Sequence, residues 1–473
     1  MEATKIFKSI RKLDKPLRKR FRLYLMSPYF NRSKTYLKAF TFLSDFVDKN
    51  PNKKLTKQAF WKKIFGKEPY KELNLRKLNS DLLRLLKDFL ALEQYRQDEG
   101  RQINYLMRAV HRLGLDDLQS ISIRMSDQYF IRTPYRNADY YLQRYNKEKE
   151  YYQLIGFDKR REAKSNVEDI LRNLDLFYLS EKLYFYTSSI VRRRILSHDF
   201  QFLLMDEIME HLRKHSYDNA LAVSIYYHLV LALTQLDNTQ AYEKLKQLIT
   251  DNIHLFPPEE ATEIYTGMLN FAVAKINRGA FEFNREYVDL IEQMIEKKFI
   301  LEADGYVALN KFRNACQSAL RLKMFDWTEK FIDNFGPKLP PDVRESGMNF
   351  TRALLYFRRK QFDKVIPLLS VIEYDDVAFG LTAKIMLAHT FYELEEFDVL
   401  ESHLGAFRVF LSRRKDIPKA RRENYLTHLR YLQRLMRLIP GDKEAVDKFI
   451  KDIKAEKQIL NATLLIEKAE ALR

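Results

Sequence analysis

"ACQSALRLKMFDWTEKFI" (residues 315–332) has two counterparts further along the chain, "ALLYFRRKQFDKVIPLL" (353–369) and "AHTFYELEEFDVLESHL" (388–404). The pairs Phe325-Asp326, Phe362-Asp363 and Phe397-Asp398 recur at steps of 37 and 35 residues. Nine residues before each Phe stands a small residue: Cys316, Ala353 and Ala388. Seven residues after it stands an aliphatic one: Ile332, Leu369 and Leu404. An earlier stretch, "LNFAVAKINRGAFEFNREYVDLI", places Ala272, Gly279, Phe281 and Val288 in the same order. A fixed period of this length is the mark of a repeated supersecondary unit. A small residue lets two helices approach closely, an aromatic after the turn is expected to plug the space between neighbouring units, and the aliphatic residue faces a shared core.

These segments resemble the tetratricopeptide (TPR) repeat, a helix–turn–helix of about 34 residues. The resemblance implies an all-α chain built as a TPR-like right-handed α-solenoid, with Cys316, Phe325, Ala353, Phe362, Ala388 and Phe397 as repeat-packing residues. Thr328, Val365 and Leu400 stand where the family has a small residue, so the units are degenerate. The expected organisation is a basic helical module over 1–98, fainter helical repeats over 99–260, TPR-like repeats over 261–415 and a helical cap over 416–473.

Composition agrees with helices. The 473 residues include only 12 Gly and 13 Pro, too few for a turn-rich β architecture. The single cysteine excludes an internal disulfide and a multi-Cys zinc site. The N-terminus lacks the apolar core of a signal peptide, and no long uncharged apolar window occurs, so a cytoplasmic protein without a membrane span is expected.

Charge is unevenly placed. Residues 1–100 carry a net +14, residues 411–473 a net +7 and the middle a net −3. An end of the chain is therefore expected to meet an anionic partner, whether nucleic acid, an acidic protein or a membrane surface. Arg11, Lys12, Arg18, Lys19, Arg20 and Arg22 are the candidate contacts. Ile6, Phe7, Ile10 and Leu13 predict a first helix, Asp14 caps a second whose buried face is Leu17, Phe21, Tyr24 and Leu25, and Pro28 ends it. Tyr29 and Phe30 are expected to fill the corner before a third helix. Thr56 caps a short helix that Gly66 ends, and Leu75, Leu78, Leu82, Leu85, Phe89 and Leu92 form an a/d seam. Residues 55–90 resemble the winged-helix domain of bacterial transcription activators, with Phe60, Trp61, Phe65, Gly66, Ser80, Leu82, Leu83 and Arg84 in comparable places. That resemblance implies a nucleic-acid-binding module, although no wing is evident after Phe89.

Chemistry is sparse. GxGxxG, GxxxxGK[ST] and GxSxG are absent. Glu207, His211 and His215 share a helix face, but Leu212 stands where a zincin has its glutamate. His198-Asp199 is a lone pair. Arg193…His198 and Arg422…His428 resemble the Arg-then-His spacing of HEPN ribonucleases, a spacing that an arginine-rich chain also produces by chance. Residues 129–186 hold 14 Phe/Tyr interleaved with Arg132, Arg136, Arg144, Lys147, Lys149, Lys159, Arg160 and Arg161, either a stacking platform for single strands or inter-helix packing. The sequence points to a non-enzymatic scaffold without cofactor or metal that binds a protein partner on a concave surface. A nucleic-acid-binding regulator acting through residues 1–98 is the alternative, and an all-α RNase a weaker one.

Overall fold

A computed structural model describes all residues except 51–52, 157–164, 197–199, 371–376, 415 and 457–458, with the side chains of 193–196 and 377–379 also outside the described set. The described residues form α-helices, short 3₁₀ turns and loops, with no β-strand among them. The chain makes two compact units, Met1–Tyr178 and Leu179–Arg473. Their boundary falls within one helix, whereas the sequence reading set its divisions after residues 98, 260 and 415.

In the first unit, α1 (Lys5–Lys12), α2 (Lys15–Met26), α3 (Lys34–Lys49), α4 (Lys57–Phe65) and α5 (Glu72–Gln97) enclose one core. Local chemistry sets the boundaries. Asp14 accepts a hydrogen bond from the Leu17 N–H at 2.7 Å, and Thr56 from the Ala59 N–H at 3.1 Å, so each satisfies an orphan donor of its helix. Gly66 closes α4 at φ 69°. The seam of α5 is buried from Leu75 to Phe89 against Phe7, Phe21, Phe40 and Phe60. Next come α6 (Glu99–Leu113), α7 (Asp116–Arg132) and α8 (Ala138–Ile155), which pack together, and α9 (Val167–Leu196), which contains the boundary.

The second unit continues with α10 (Met205–Lys214), α11 (Leu221–Thr234), α12 (Thr239–Asn252), α13 (Pro258–Asn277), α14 (Phe283–Glu296), α15 (Leu309–Arg321), α16 (Phe325–Phe335), α17 (Arg344–Arg358), α18 (Val365–Ser370), α19 (Val377–Glu393), α20 (Phe397–Arg413), α21 (Lys419–Leu435), α22 (Lys443–Ala455) and α23 (Ala462–Glu470). Contacts run between chain neighbours: α11 with α12, α13 with α14, α15 with α16, α17 with α18 and α19 with α20. First helices also meet, α11 against α13, α15 against α17 and α17 against α19. Gly267 makes the first of these possible, because a Cβ there would lie 2.9 Å from Leu229 Cδ2.

The hairpins share a turn. Gly279, Lys323, Lys360 and Glu395 each adopt positive φ (93°, 59°, 59° and 58°), two residues before Phe281, Phe325, Phe362 and Phe397. At each, two N–H groups reach back to the last carbonyls of the first helix, as in Met324 to Ala319 at 2.9 Å and Lys323 to Leu320 at 3.1 Å. This is the Schellman arrangement, which satisfies carbonyls that a helix end leaves orphaned. It is not confined to these hairpins, since Gly114 closes α6 in the same way.

Three of the four αL positions carry side chains that the left-handed region disfavours. Lys323→Gly, Lys360→Gly and Glu395→Gly are each expected to stabilise the protein by about 0.5–1 kcal/mol, the relief of αL strain less the added chain entropy of glycine. Urea unfolding of the three single variants measures this, and destabilisation in all three would show that the turns are unstrained.

Candidate binding groove and the fate of the sequence candidates

The residues expected to pack the repeats divide by depth. Cys316, Ala353 and Ala388 are fully buried, as is Ala272. Burial pushes the Cys316 thiol well above its ordinary range, so it acts as a small apolar group. The four phenylalanines are shallower. Phe325 and Phe362 are half-buried, while Phe397 is 41% and Phe281 64% exposed. Phe362 packs edge-on against Phe357, Phe397 against Tyr392, and Phe325 lies under the Arg359 guanidinium. The deep positions instead are those three and seven residues later: Thr328, Val365 and Leu400, then Ile332, Leu369 and Leu404.

The basic candidates also divide. Arg18 is 6% exposed and pairs with Asp48 at 2.5 Å, with Nε and Nη1 buried and unpartnered. It belongs to the interior, contrary to its assignment as an anion contact. Its place follows from spacing, for residues 18, 21 and 25 share one face of α2. Arg20 pairs with Glu93 at 2.6 Å and Arg11 with Glu2 at 2.9 Å. Lys12, Lys19 and Arg22 are exposed, and no ion pair to them is found among the described residues. Of the two aromatics expected to fill the corner, Phe30 packs there, stacked on Tyr24 with centroids 4.3 Å apart, whereas Tyr29 does not and is 88% exposed.

The aromatic stretch is largely engaged within the chain. Arg136 lies over Tyr140, Arg144 over Phe130, Lys147 over Tyr151 and Lys149 over Tyr145, and Arg132 pairs with Glu99. Lys159, Arg160, Arg161, the Arg193…His198 pair and Asp199 lie outside the described residues or side chains. After Phe89, where a wing would follow, the chain continues as helix to Gln97. His211 Nε2 lies 2.9 Å from the Tyr217 hydroxyl, and among the described residues no group of three or more His, Cys, Asp or Glu could hold a metal ion. Nor is any described helix long and apolar enough to cross a membrane.

His428 is wholly buried. Its Nδ1–H donates to the Leu460 carbonyl at 2.7 Å, which leaves Nε2 to accept from His389 Nε2–H at 3.0 Å. Arg422 donates to the carbonyls of Arg414 and Ile417. Arg422 thus holds the segment leading into α21, and His428 ties α21 to α19 and to the segment before α23.

A groove opens in the second unit where α9, α11 and α13 meet. One part, about 210 Å³, is lined by Tyr184, Thr187 and Arg192 of α9, Tyr226 and Leu229 of α11, and Glu263, Thr266 and Asn270 of α13, with Glu302 at its margin. A second part, about 410 Å³, shares Val191 and Asn270 and continues past Val273 and Asn277 to Arg278. α13 is well founded for this role: proline at its first position, Glu259 and Glu260 in its first turn and Lys275 in its last all suit the helix dipole. Tyr184 donates to Glu263, and Tyr226 to Glu260 at 2.7 Å. Burial, reinforced by these carboxylates, pushes both hydroxyls well above the ordinary phenol range, so they remain donors. Lys311 holds Glu302 at 2.6 Å. The first part of the groove thus brings Glu263 and Glu302 together with Arg192, and at the other end Arg278 lies 3.7 Å from Asp237. Sequence reasoning missed it; the signal was a polar stripe, Glu263, Thr266, Asn270 and Asn277, at helical spacing around a mid-helix glycine.

Compared with family models, with curated proteins and with solved structures, the chain has no match.

Burial lowers the pKa of His389 to about 3, with help from the neighbouring His428 and Lys468, and that of His428 to about 4. Both rings are neutral when folded, whereas the unfolded chain takes up protons near the ordinary value of 6.5. The unfolded state then binds more protons, so the stability of this segment is fully present above pH 6.5 and is lost as the pH falls through about 4 and about 3. The slope reaches about 1.4 kcal/mol per pH unit for each ring. Urea unfolding between pH 7.5 and 4.5 should show it, and His389→Gln should reduce it; an equal slope in the variant would contradict the assignment.

Proposed function

We propose that the chain is a non-enzymatic adaptor whose C-terminal unit is a degenerate array of TPR type, holding an extended segment of a partner protein along α13. The observation that carries this reading is the continuity of the groove. Its two parts share Val191 and Asn270, and its α13 wall runs from Glu263 to Arg278. Fifteen helical steps span about 22 Å, room for about seven residues of extended chain. A long narrow groove of this kind suits a peptide better than a compact metabolite, which an enclosed cavity would surround.

The lining suits the same occupant. Side-chain amides of Asn270 and Asn277 can both donate to and accept from a peptide backbone. Val191, Leu229 and Val273 offer apolar contact between them. Glu263, the lining carboxylate that no lysine or arginine among the described residues pairs with, is complementary to a lysine or arginine of the ligand. The recurrent Schellman turns and the buried small residues Ala272, Cys316, Ala353 and Ala388 support the repeat reading of the unit that carries the groove.

Selection of a displayed random-peptide library on the full-length protein tests the proposal. Wild type is expected to enrich peptides with Lys or Arg at one fixed position. Glu263→Gln, which keeps an acceptor for Tyr184, should abolish that preference. Asn270→Ala should weaken binding of a selected peptide about tenfold, or about 1.4 kcal/mol. Peptides that bind wild type and both variants equally would place the binding surface elsewhere and reject the groove.

A further inference from the structure

The corner after α2 presents a second surface, in the other unit and independent of the groove. Leu23 (58%), Met26 (57%) and Tyr29 are more exposed than buried, and Phe30 is partly so. The corner is built rather than loose. Asn31 donates its side-chain amide to the carbonyls of Leu25 at 2.8 Å and Ser33 at 3.0 Å, and its Oδ1 accepts from the Ser33 N–H at 2.9 Å. Phe30 stacks on Tyr24 with centroids 4.3 Å apart and supports Tyr29 edge-on at 5.0 Å. Two clamps thus hold an aromatic ring outward against water, where an apolar side chain gains nothing unless a partner covers it.

The surroundings state the charge of that partner. Lys19, Leu23 and Met26 lie one and two turns apart on a single face of α2, Arg22 is one turn from Met26, and Arg32 follows the corner. Lys19, Arg22 and Arg32 are exposed. Two acidic groups of α5 that reach α2 are already engaged: Asp88, which interacts with Tyr24, faces Arg84 at 3.6 Å, and Glu93 pairs with Arg20 at 2.6 Å. The end of the chain bearing this corner carries a net +14 over 100 residues.

We propose that this corner docks the protein on an anionic lipid surface, with Leu23, Met26 and Tyr29 at the boundary between headgroups and acyl chains and with Lys19 and Arg22 against lipid phosphates. The side-chain types favour lipid over nucleic acid. Bases stack on aromatic rings, but Leu23 and Met26 have no ring face, and against a phosphate backbone they would stay uncovered. A bilayer interface covers aliphatic and aromatic groups together and adds electrostatic attraction, the two signals that reversible surface binding requires.

Co-sedimentation of the full-length protein with vesicles of phosphatidylcholine, with and without 30% phosphatidylglycerol, tests the proposal. Binding to the anionic vesicles should exceed that to the neutral ones by at least tenfold. It should fall at least tenfold in Leu23→Ser/Met26→Ser/Tyr29→Ser and in Lys19→Glu/Arg22→Glu, with helical circular dichroism unchanged. Tyr29→Trp reports insertion as the difference from wild type, whose Trp61 and Trp327 supply the background: the added fluorescence should shift to the blue and be quenched by brominated acyl chains. Unquenched fluorescence, full binding by the triple serine variant, or binding to duplex DNA but not to vesicles would each overturn it.

Discussion

A helix that ends within a protein leaves carbonyls without partners, and in the second unit one device meets this need hairpin after hairpin. The chain turns through a single αL residue, two N–H groups return to the helix just finished, and the next helix starts almost at once. Because the turn is tight and geometrically defined, it fixes the direction in which the second helix leaves. Fully buried Ala272, Cys316, Ala353 and Ala388 then let that helix approach its neighbours. α13 ends in this turn at Gly279, lies against α11 at Gly267, and gives the groove its wall.

The first unit solves a different problem, that of enclosing a core within a strongly basic segment. It does so by pairing part of the charge internally, Arg18 with Asp48, Arg20 with Glu93 and Arg11 with Glu2. Of the six cations singled out in the sequence, Lys12, Lys19 and Arg22 are exposed and have no such partner among the described residues. Charge that a sequence shows as one block is thereby divided into a structural part and a surface part.

Elements that depend on a few adjacent residues were legible before any coordinates. Asp14, Thr56 and Gly66 end or begin helices where expected, since caps act within one turn. The seam of α5 and the small residues of the hairpins were legible because periodicity encodes facing. Depth was harder to read. Phe325, Phe362 and Phe397 mark a turn reliably, but how much of each ring is covered depends on what lies across from it, such as Arg359 or Phe357. Arg18 was misplaced because residue class outweighed spacing. Tyr29 was misplaced because nothing local reveals which of two adjacent aromatics finds a ring to stack on; Phe30 meets Tyr24 and Tyr29 is left outside. The groove was missed for the same reason: Gly267 and Leu229 meet only once α11 and α13 are side by side.

That contacts in the second unit run so largely between chain neighbours bears on how the protein is made and how it can change. A topology of low contact order forms early and quickly, because each hairpin closes a short loop and docks on a neighbour already present. Such a body can begin to assemble from its leading edge while later residues are still being synthesised.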